Sequence, residues 1–143
     1  MPTTDPVKAA LAVYGTQAIP GAESNPAVVE YFREAKHPEV TQDDIPWCAA
    51  FMNAIMQRCG LPQTGSLLAR SFLDIGVPVT VPQMGDIVVL QRGGENSGLG
   101  HVGLFICTQG DKTYLLGGNE DNRVEIAPFF NVYIIGVRRV EIK

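Results

Sequence analysis

The sequence contains little cysteine and little histidine. Cys48, Cys59 and Cys107 are the three thiols among 143 residues, and the two histidines are His37 and His101. An odd number of widely spaced cysteines argues against a disulfide framework. It also argues against a structural zinc site, because no two cysteines show C-x-x-C spacing and two histidines do not complete the ligand set. The roles left for these thiols are burial in a core and cysteine chemistry.

Positive charge, long apolar runs and internal repeats are also lacking. The formal net charge of -4 argues against nucleic acid or an anionic membrane as the main partner, and leaves peptide or glycan open. No apolar run approaches the roughly 18 residues that span a bilayer. The N-terminus, M-P-T-T-D-P-V-K, shows no basic region followed by an apolar core, so no signal peptide is expected. We therefore expect synthesis in the cytoplasm, with any later release by a route that leaves no signal in the sequence, such as a phage holin pore or a secretion machine.

What the sequence does contain is a helical first half and a strand-rich second half. Hydrophobic residues make up 45% of the chain, which at this length predicts one domain over residues 1–143 with one core. Apolar periodicity, caps and turn signals predict helices at 6–14, 26–35, 46–59 and 66–75, and strands at 85–91, 101–108, 112–117, 123–126 and 132–140. Helices followed by a meander of short strands predict an α+β fold, with N-terminal helices packed on an antiparallel sheet of about five strands.

The stretch D-D-I-P-W-C-A-A-F places Cys48 at the start of a predicted helix. A helix N-terminus favours a thiolate over a thiol, and its first N–H groups have no helical acceptor, so they are available to a developing oxyanion. Cys48, Met52, Ile55 and Cys59 also form one helical stripe. Cys48 is therefore either a nucleophile or the first core residue of its helix.

His101 is the candidate base for such a nucleophile. It opens a predicted strand directly after a glycine-rich loop, and Gly103, Phe105 and Cys107 follow it at even spacing, so they share its face. We expect this face to meet the stripe that begins with Cys48. A neutral imidazole within reach of a thiol is the pair that activates cysteine nucleophiles. The alternative is an ordinary surface histidine at a loop edge.

A third polar residue would orient the imidazole through its other ring nitrogen. The next strand runs into G-G-N-E-D, where Asn119, Glu120 and Asp121 are candidates. Asn119 is preferred because it lies nearest the strand. Gly117 and Gly118 would let the backbone pass close to the site. The alternative is a plain turn, for which this composition is equally suited.

The remaining candidates have weaker signals. Trp47 either walls a substrate groove or caps the core. Asp43 and Asp44 can cap the Cys48 helix, and Asp44 is a candidate contact for an amine on a substrate. His37 is expected to be solvated in a polar loop. The pair R-R at 138–139 is interpreted as ordinary strand charge.

Six segments together resemble the NlpC-like and CHAP-like cell-wall cysteine peptidases, and more narrowly a compact phage and bacterial group with a G-G-N-Q-x-D-x-V type motif. They are P-W-C-A-A-F, A-R-S-F-L-D-I-G, M-G-D-I-V-V-L, G-L-G-H-V-G-L-F, L-L-G-G-N-E-D-N-R-V-E-I and I-I-G-V-R-R. The resemblance covers roughly residues 6 to 140, and their order and spacing make it specific. Glu120 departs from the pattern, because the group often has glutamine there.

The resemblance implies a papain-like fold with Cys48 as nucleophile, His101 as base and a polar third residue at the Asn119 position. It implies hydrolysis of an amide bond in peptidoglycan, either within the stem peptide or between N-acetylmuramic acid and L-alanine, with no metal or cofactor. The biological setting would be a phage lysin or an antibacterial effector, and for an effector an immunity protein is a candidate partner. Two alternatives remain open, namely a non-catalytic structural or glycan-binding module of this fold and an acyltransferase or deamidase acting on a protein.

Overall fold

The computed structural model describes residues 3–19, 24–41, 46–92, 99–120 and 122–140. The α-helices in these ranges are α1 (Pro6–Leu11), α2 (Pro26–Glu34) and α3 (Cys48–Arg58), and the 3-10 helices are Ala69–Asp74 and Asn131–Tyr133. The strands are β1 (Val77–Pro78), β2 (Ile87–Arg92), β3 (Leu99–Gln109), β4 (Lys112–Glu120), β5 (Arg123–Phe130) and β6 (Ile134–Arg139). The predicted α+β class is confirmed, with the short β1 as a strand that the sequence analysis did not predict.

The first two helices begin where the cap signals predict. Side-chain oxygens of Asp5 and Asn25 each accept the N–H of the residue two positions later, at 2.9 Å in both cases. Helix α1 is shorter than predicted: it ends at Leu11, and turns continue to Gly15. The longest helix, α3, has 11 residues, and no helix in the described ranges is long and apolar enough to cross a membrane.

The predicted helix at 66–75 forms only the 3-10 helix Ala69–Asp74. A tertiary contact accounts for the difference. Asn53, fully buried on α3, accepts the Thr64 N–H at 2.8 Å and donates to the Ser66 carbonyl at 2.9 Å. These bonds hold residues 64–66 in a non-helical path against α3, so the helical turns begin later than the sequence pattern indicates.

The six strands form one sheet in the order β1-β6-β2-β3-β4-β5. Every neighbouring pair is antiparallel. Since β3 and β4 are consecutive and antiparallel, with Leu104 opposite Leu116, the start of β3 and the end of β4 lie at the same end of the sheet. The motif residues at 101 and 119 therefore belong to one end of the sheet.

The sheet buries both of its faces. One face packs on the helices and includes Ile87, Val89, Val102, Leu104, Leu116 and Val124, together with α3. The other face holds a smaller cluster, Val88, Leu90, Phe105 and Leu115, over which Phe129, Ile134 and Val137 pack. Because the smaller cluster draws on every strand from β2 to β6, the sheet must curl around it.

A buried ion pair ties the start of β2 to β6. Arg139 donates from Nε and Nη2 to the two carboxylate oxygens of Asp86, at 2.8 Å each, and the Asp86 side chain is 4% exposed. Arg138 donates to the carbonyls of Ile75 and Gly76 at 2.7 and 3.0 Å. The interpretation of 138–139 as ordinary strand charge is therefore wrong. A buried carboxylate at the start of an apolar strand needs a cation, and this is the signal that the sequence offered.

Candidate functional site

Cys48 is the first residue of α3 and is 6% exposed. Trp47 occupies the N-cap position and contributes no side-chain hydrogen bond to the helix. The predicted position of Cys48 at a helix start is thus confirmed. The first N–H groups of a helix have no helical acceptor, so groups at this position can stabilise an oxyanion.

The helix that carries Cys48 is buried around its whole circumference. Every residue from Cys48 to Met56 is buried, and Cys59 at the C-cap is 3% exposed. The predicted stripe is therefore part of a wider apolar surface, as is typical of a central helix. Helix α3 packs against α1, α2, β3 and β4. This packing fixes the position of the Cys48 backbone relative to the sheet.

His101 lies inside β3 rather than at its first residue, opposite Leu90 of β2. It is 1% exposed, and its ring stacks on Phe129 with the centroids 5.1 Å apart. The alternative of a surface histidine is therefore wrong. The expectation that the Phe105 face of this strand meets α3 is also wrong, because Phe105 belongs to the smaller cluster and Val102 packs in the main core. The imidazole thus lies on the smaller-cluster side of the sheet.

Gly118 in β4 lets the sheet approach the start of α3 closely. A Cβ atom at this position would lie 2.5 Å from Cβ of Phe51 and 2.9 Å from Cε3 of Trp47, distances that real atoms do not adopt. The predicted close approach of the backbone at this glycine is confirmed. The end of β4 therefore lies beside the residues that flank Cys48, at the same end of the sheet as the start of β3.

Some predicted site residues are only partly described. Asn119 and Glu120 lie in β4, whereas their side chains fall outside the described part of the chain. Asp121, Asp43 and Asp44 lie outside the described residues altogether. The choice among the three candidates for the third residue, and the role of Asp44 toward a substrate amine, therefore stay predictions.

Trp47 is a core residue. It has no exposed surface, stacks on Tyr31 with ring centroids 5.9 Å apart, and meets Phe51 edge-on at 6.4 Å. Of the two interpretations of Trp47, this placement favours the one in which it caps the core. In this conformation it has no surface with which to contact a substrate.

His37 lies away from this site and is less solvated than expected. Its Nδ1 lies 2.8 Å from a Glu39 carboxylate oxygen and its Nε2 lies 2.8 Å from the Gly65 carbonyl. Both partners are acceptors, so both ring nitrogens carry a proton in this geometry. The hydrogen bond to Glu39, followed by the one to Gly65, raises the pKa of His37 above its ordinary value.

This raised pKa predicts a pH-dependent contribution to stability. The stabilisation from His37 is complete below its unfolded-state pKa of about 6.5 and is lost as the pH rises through the higher folded-state pKa. We expect the difference in melting temperature between the wild type and His37→Gln to be about 2–4 °C at pH 5.5 and to vanish near pH 9. Thermal denaturation of both proteins across this range checks it, and a difference that does not change with pH would contradict it.

Two polar residues, one in α3 and one in the first 3-10 helix, were not predicted from the sequence. Asn53 of α3 anchors the segment before the 3-10 helix, and its signal was an amide inside an otherwise apolar helix. Arg70 lies in the 3-10 helix Ala69–Asp74, which packs against β2 and β3. If Gly100 had a Cβ atom, it would lie 3.5 Å from Cγ of Arg70. Arg70 therefore sits beside the residue that precedes His101.

Cys48 and Cys59 are buried, Cys107 is partly exposed, and none of the three is in a disulfide. Among the residues that the structure describes, no group of three His, Cys, Asp or Glu side chains could hold a metal ion. No protein-family model matches the chain, and no curated protein matches it.

Proposed function

We propose that this protein is a papain-like peptidoglycan amide hydrolase with Cys48 as its nucleophile. The observation that carries the proposal is the position of Cys48 at the first turn of the buried helix α3. That turn lies beside Gly118, at the end of the sheet where the strands bearing His101 and Asn119 meet.

The burial of both reactive groups supports a protected reaction centre. Cys48 and His101 are 6% and 1% exposed. An imidazole held away from water and stacked on Phe129 has few orientations open to it. Gly117 and Gly118, which directly precede Asn119 in β4, contribute no side chains to this part of the strand. A thiol from one side of the sheet and an imidazole from the other would meet past this end.

In the proposed reaction, His101 takes the proton of the Cys48 thiol, and the thiolate attacks the carbonyl carbon of the substrate amide. N–H groups of the first turn of α3 stabilise the oxyanion of the tetrahedral intermediate. His101 then gives its proton to the leaving amine as the C–N bond breaks, which leaves a thioester on Cys48. Water, deprotonated by His101, hydrolyses the thioester and restores the thiol. Asn119 would orient the imidazole, and no step needs a metal or cofactor.

The substrate in this proposal is the peptide part of the cell wall. The acidic protein would recognise stem peptide or the adjoining glycan rather than nucleic acid. It would reach the wall as a phage lysin through a holin, or as an antibacterial effector through a secretion machine. An effector would be expected to have an immunity protein as its partner.

Digestion of purified sacculi tests the proposed function. We expect the wild-type protein to release soluble fragments that carry new amino and carboxyl termini, identified by mass spectrometry. A new amine on L-alanine with a free lactyl carboxylate identifies an amidase, and new termini within the stem identify an endopeptidase. Intact sacculi, or new reducing sugar ends in place of new amines, would contradict the proposal.

The same burial also fits a non-catalytic module that kept this fold, and this is the second candidate function. A buried cysteine at a helix start is inert when no base reaches it. Iodoacetamide labelling separates the two candidates, because a module of this kind should show an ordinary thiol whose reactivity rises only near pH 8.5.

A further inference from the structure

Arg70 has one edge of its guanidinium group buried and without an acceptor. The atoms Nε and Nη2 are both shielded from solvent, and no oxygen among the described residues accepts a hydrogen bond from either. The residue as a whole is partly exposed. Leaving buried donors unsatisfied destabilises the folded state, and more so when the group is charged. Such an arrangement calls for an acceptor that is not part of the described chain.

Two other partly buried arginines, Arg58 and Arg139, show what this edge binds in the same protein. Arg58 donates from Nε and Nη2 to the Glu34 carboxylate at 2.7 and 2.6 Å. Arg139 donates from the same two atoms to the Asp86 carboxylate at 2.8 Å each. The Nε and Nη2 protons of a guanidinium point in parallel and match the two oxygens of a carboxylate. Arg70 has the same two-donor edge, but no carboxylate of the described residues binds it.

The place of Arg70 in the fold connects it to the candidate site. Its 3-10 helix packs on β2 and β3, and the Cβ positions of Gly100 and Ala69 would be 3.4 Å apart. Because Gly100 has no side chain, the segment that carries Arg70 can pack closely against the start of β3, one residue before His101. A ligand group held by Arg70 would lie at the end of the sheet where we place the reacting amide.

We propose that the Nε–Nη2 edge of Arg70 binds a carboxylate of the peptide substrate and so determines specificity for stem peptides with a free carboxylate near the cleaved bond. The identification of the ligand as a peptide rests on the proposed function. We identify the bound group as a carboxylate for two reasons. The Nε–Nη2 edge of Arg70 has no acceptor among the described residues, and the same edge binds a carboxylate in both Arg58 and Arg139. Binding would satisfy both buried donors and neutralise the guanidinium.

The stability of substituted proteins tests whether the edge is unfilled in the free protein. Arg70→Met removes two unsatisfied donors and keeps most of the side-chain volume, so we expect an unchanged or slightly higher melting temperature. Arg139→Met, the matched control, strands the buried Asp86 carboxylate and should melt roughly 5–10 °C lower. A comparable fall for Arg70→Met would show that a carboxylate of this chain already fills the edge, and would overturn the proposal.

The specificity of the wild type and Arg70→Gln tests the ligand. The probe is a synthetic stem peptide in two forms, with free carboxylates and with every carboxylate converted to carboxamide. We expect Arg70→Gln to lower kcat/KM by about 30- to 100-fold on the free form and by less than about threefold on the carboxamide form. Equal losses on both forms would overturn the proposal, because they would assign Arg70 a purely structural role.

Binding separates this inference from the proposed hydrolysis. If the wild type cleaves neither form, the proposed hydrolase function fails on these substrates, and calorimetry with Cys48→Ala then decides the Arg70 inference. Tighter binding of the free form by Cys48→Ala, reduced at least tenfold in Cys48→Ala/Arg70→Gln, supports it. Equal binding of the two forms, or binding of neither, overturns it.

Discussion

Cys48→Ala is expected to lose the ability to solubilise sacculi by at least about 10⁴-fold while keeping the fold, because no other described thiol lies at the candidate site. The nucleophile is one member of a unit, so its removal should eliminate almost all of the turnover that the unit provides. The stability cost should stay near 1 kcal/mol, since only one sulfur atom leaves the core. Turbidity of purified sacculi and circular dichroism of the variant measure the two effects.

Cys59→Ala is the matched control, because Cys59 is also buried and stands at the opposite end of α3. It should retain lysis at close to the wild-type rate. Burial raises the pKa of the Cys59 thiol above its ordinary value. Alkylation of Cys59 at pH 6–7 should therefore be slow, whereas a thiolate at Cys48 should react in this range. Lysis by Cys48→Ala at the wild-type rate would rule out the proposed mechanism.

The activating role of His101 is visible in the same labelling experiment. His101→Gln should move the pH dependence of Cys48 alkylation upward, because the thiolate loses the imidazolium that stabilises it. An unchanged profile would show that the thiol and the imidazole do not interact, and would leave Cys48 as a core residue. The variant thereby shows whether the reactivity of Cys48 comes from its position at the helix start alone or also from an interaction with the imidazole.

The helical half of the fold was predictable because its signals are local. Asp5 and Asn25 cap their helices through bonds to backbone two residues away, and such bonds are readable from adjacent letters. The segment 66–75 was mispredicted because Asn53, distant along the chain, holds the backbone before it. Local pattern thus predicts the start of a helix well, and fails where a tertiary hydrogen bond overrides it.

The sequence predicted which strand ends lie near each other at the candidate site. It did not predict on which face of the sheet their side chains lie. Alternation along β3 correctly groups His101 with Phe105, since both lie on the smaller-cluster side. Alternation does not say which face receives the helices, and the sequence offered apolar residues on both. The second buried face exists because the sheet curls, and this depends on β5 and β6, which are remote from His101 in sequence.

The ion pair between Asp86 and Arg139 should contribute most to stability among the polar contacts described. Arg139→Met is expected to lower the free energy of unfolding by about 3 kcal/mol, because a nearly buried carboxylate loses both of its charged donors. Asp86→Leu should cost at least as much, since it strands the guanidinium and also the Gln83 N–H, which donates to Asp86 at 2.7 Å. Urea denaturation of each variant measures these values.

The double variant Asp86→Leu/Arg139→Met shows whether the cost comes from the pair or from the burial of single charges. Removing both partners leaves no unpaired charge, so the double variant should unfold within about 1.5 kcal/mol of the wild type, well above either single variant. Costs that simply add would show that the two side chains stabilise the fold independently. Because the pair joins β2 to β6 and lies outside the proposed reaction, folded molecules of the double variant should solubilise sacculi at the wild-type rate, which distinguishes a contact that holds the sheet together from one that takes part in catalysis.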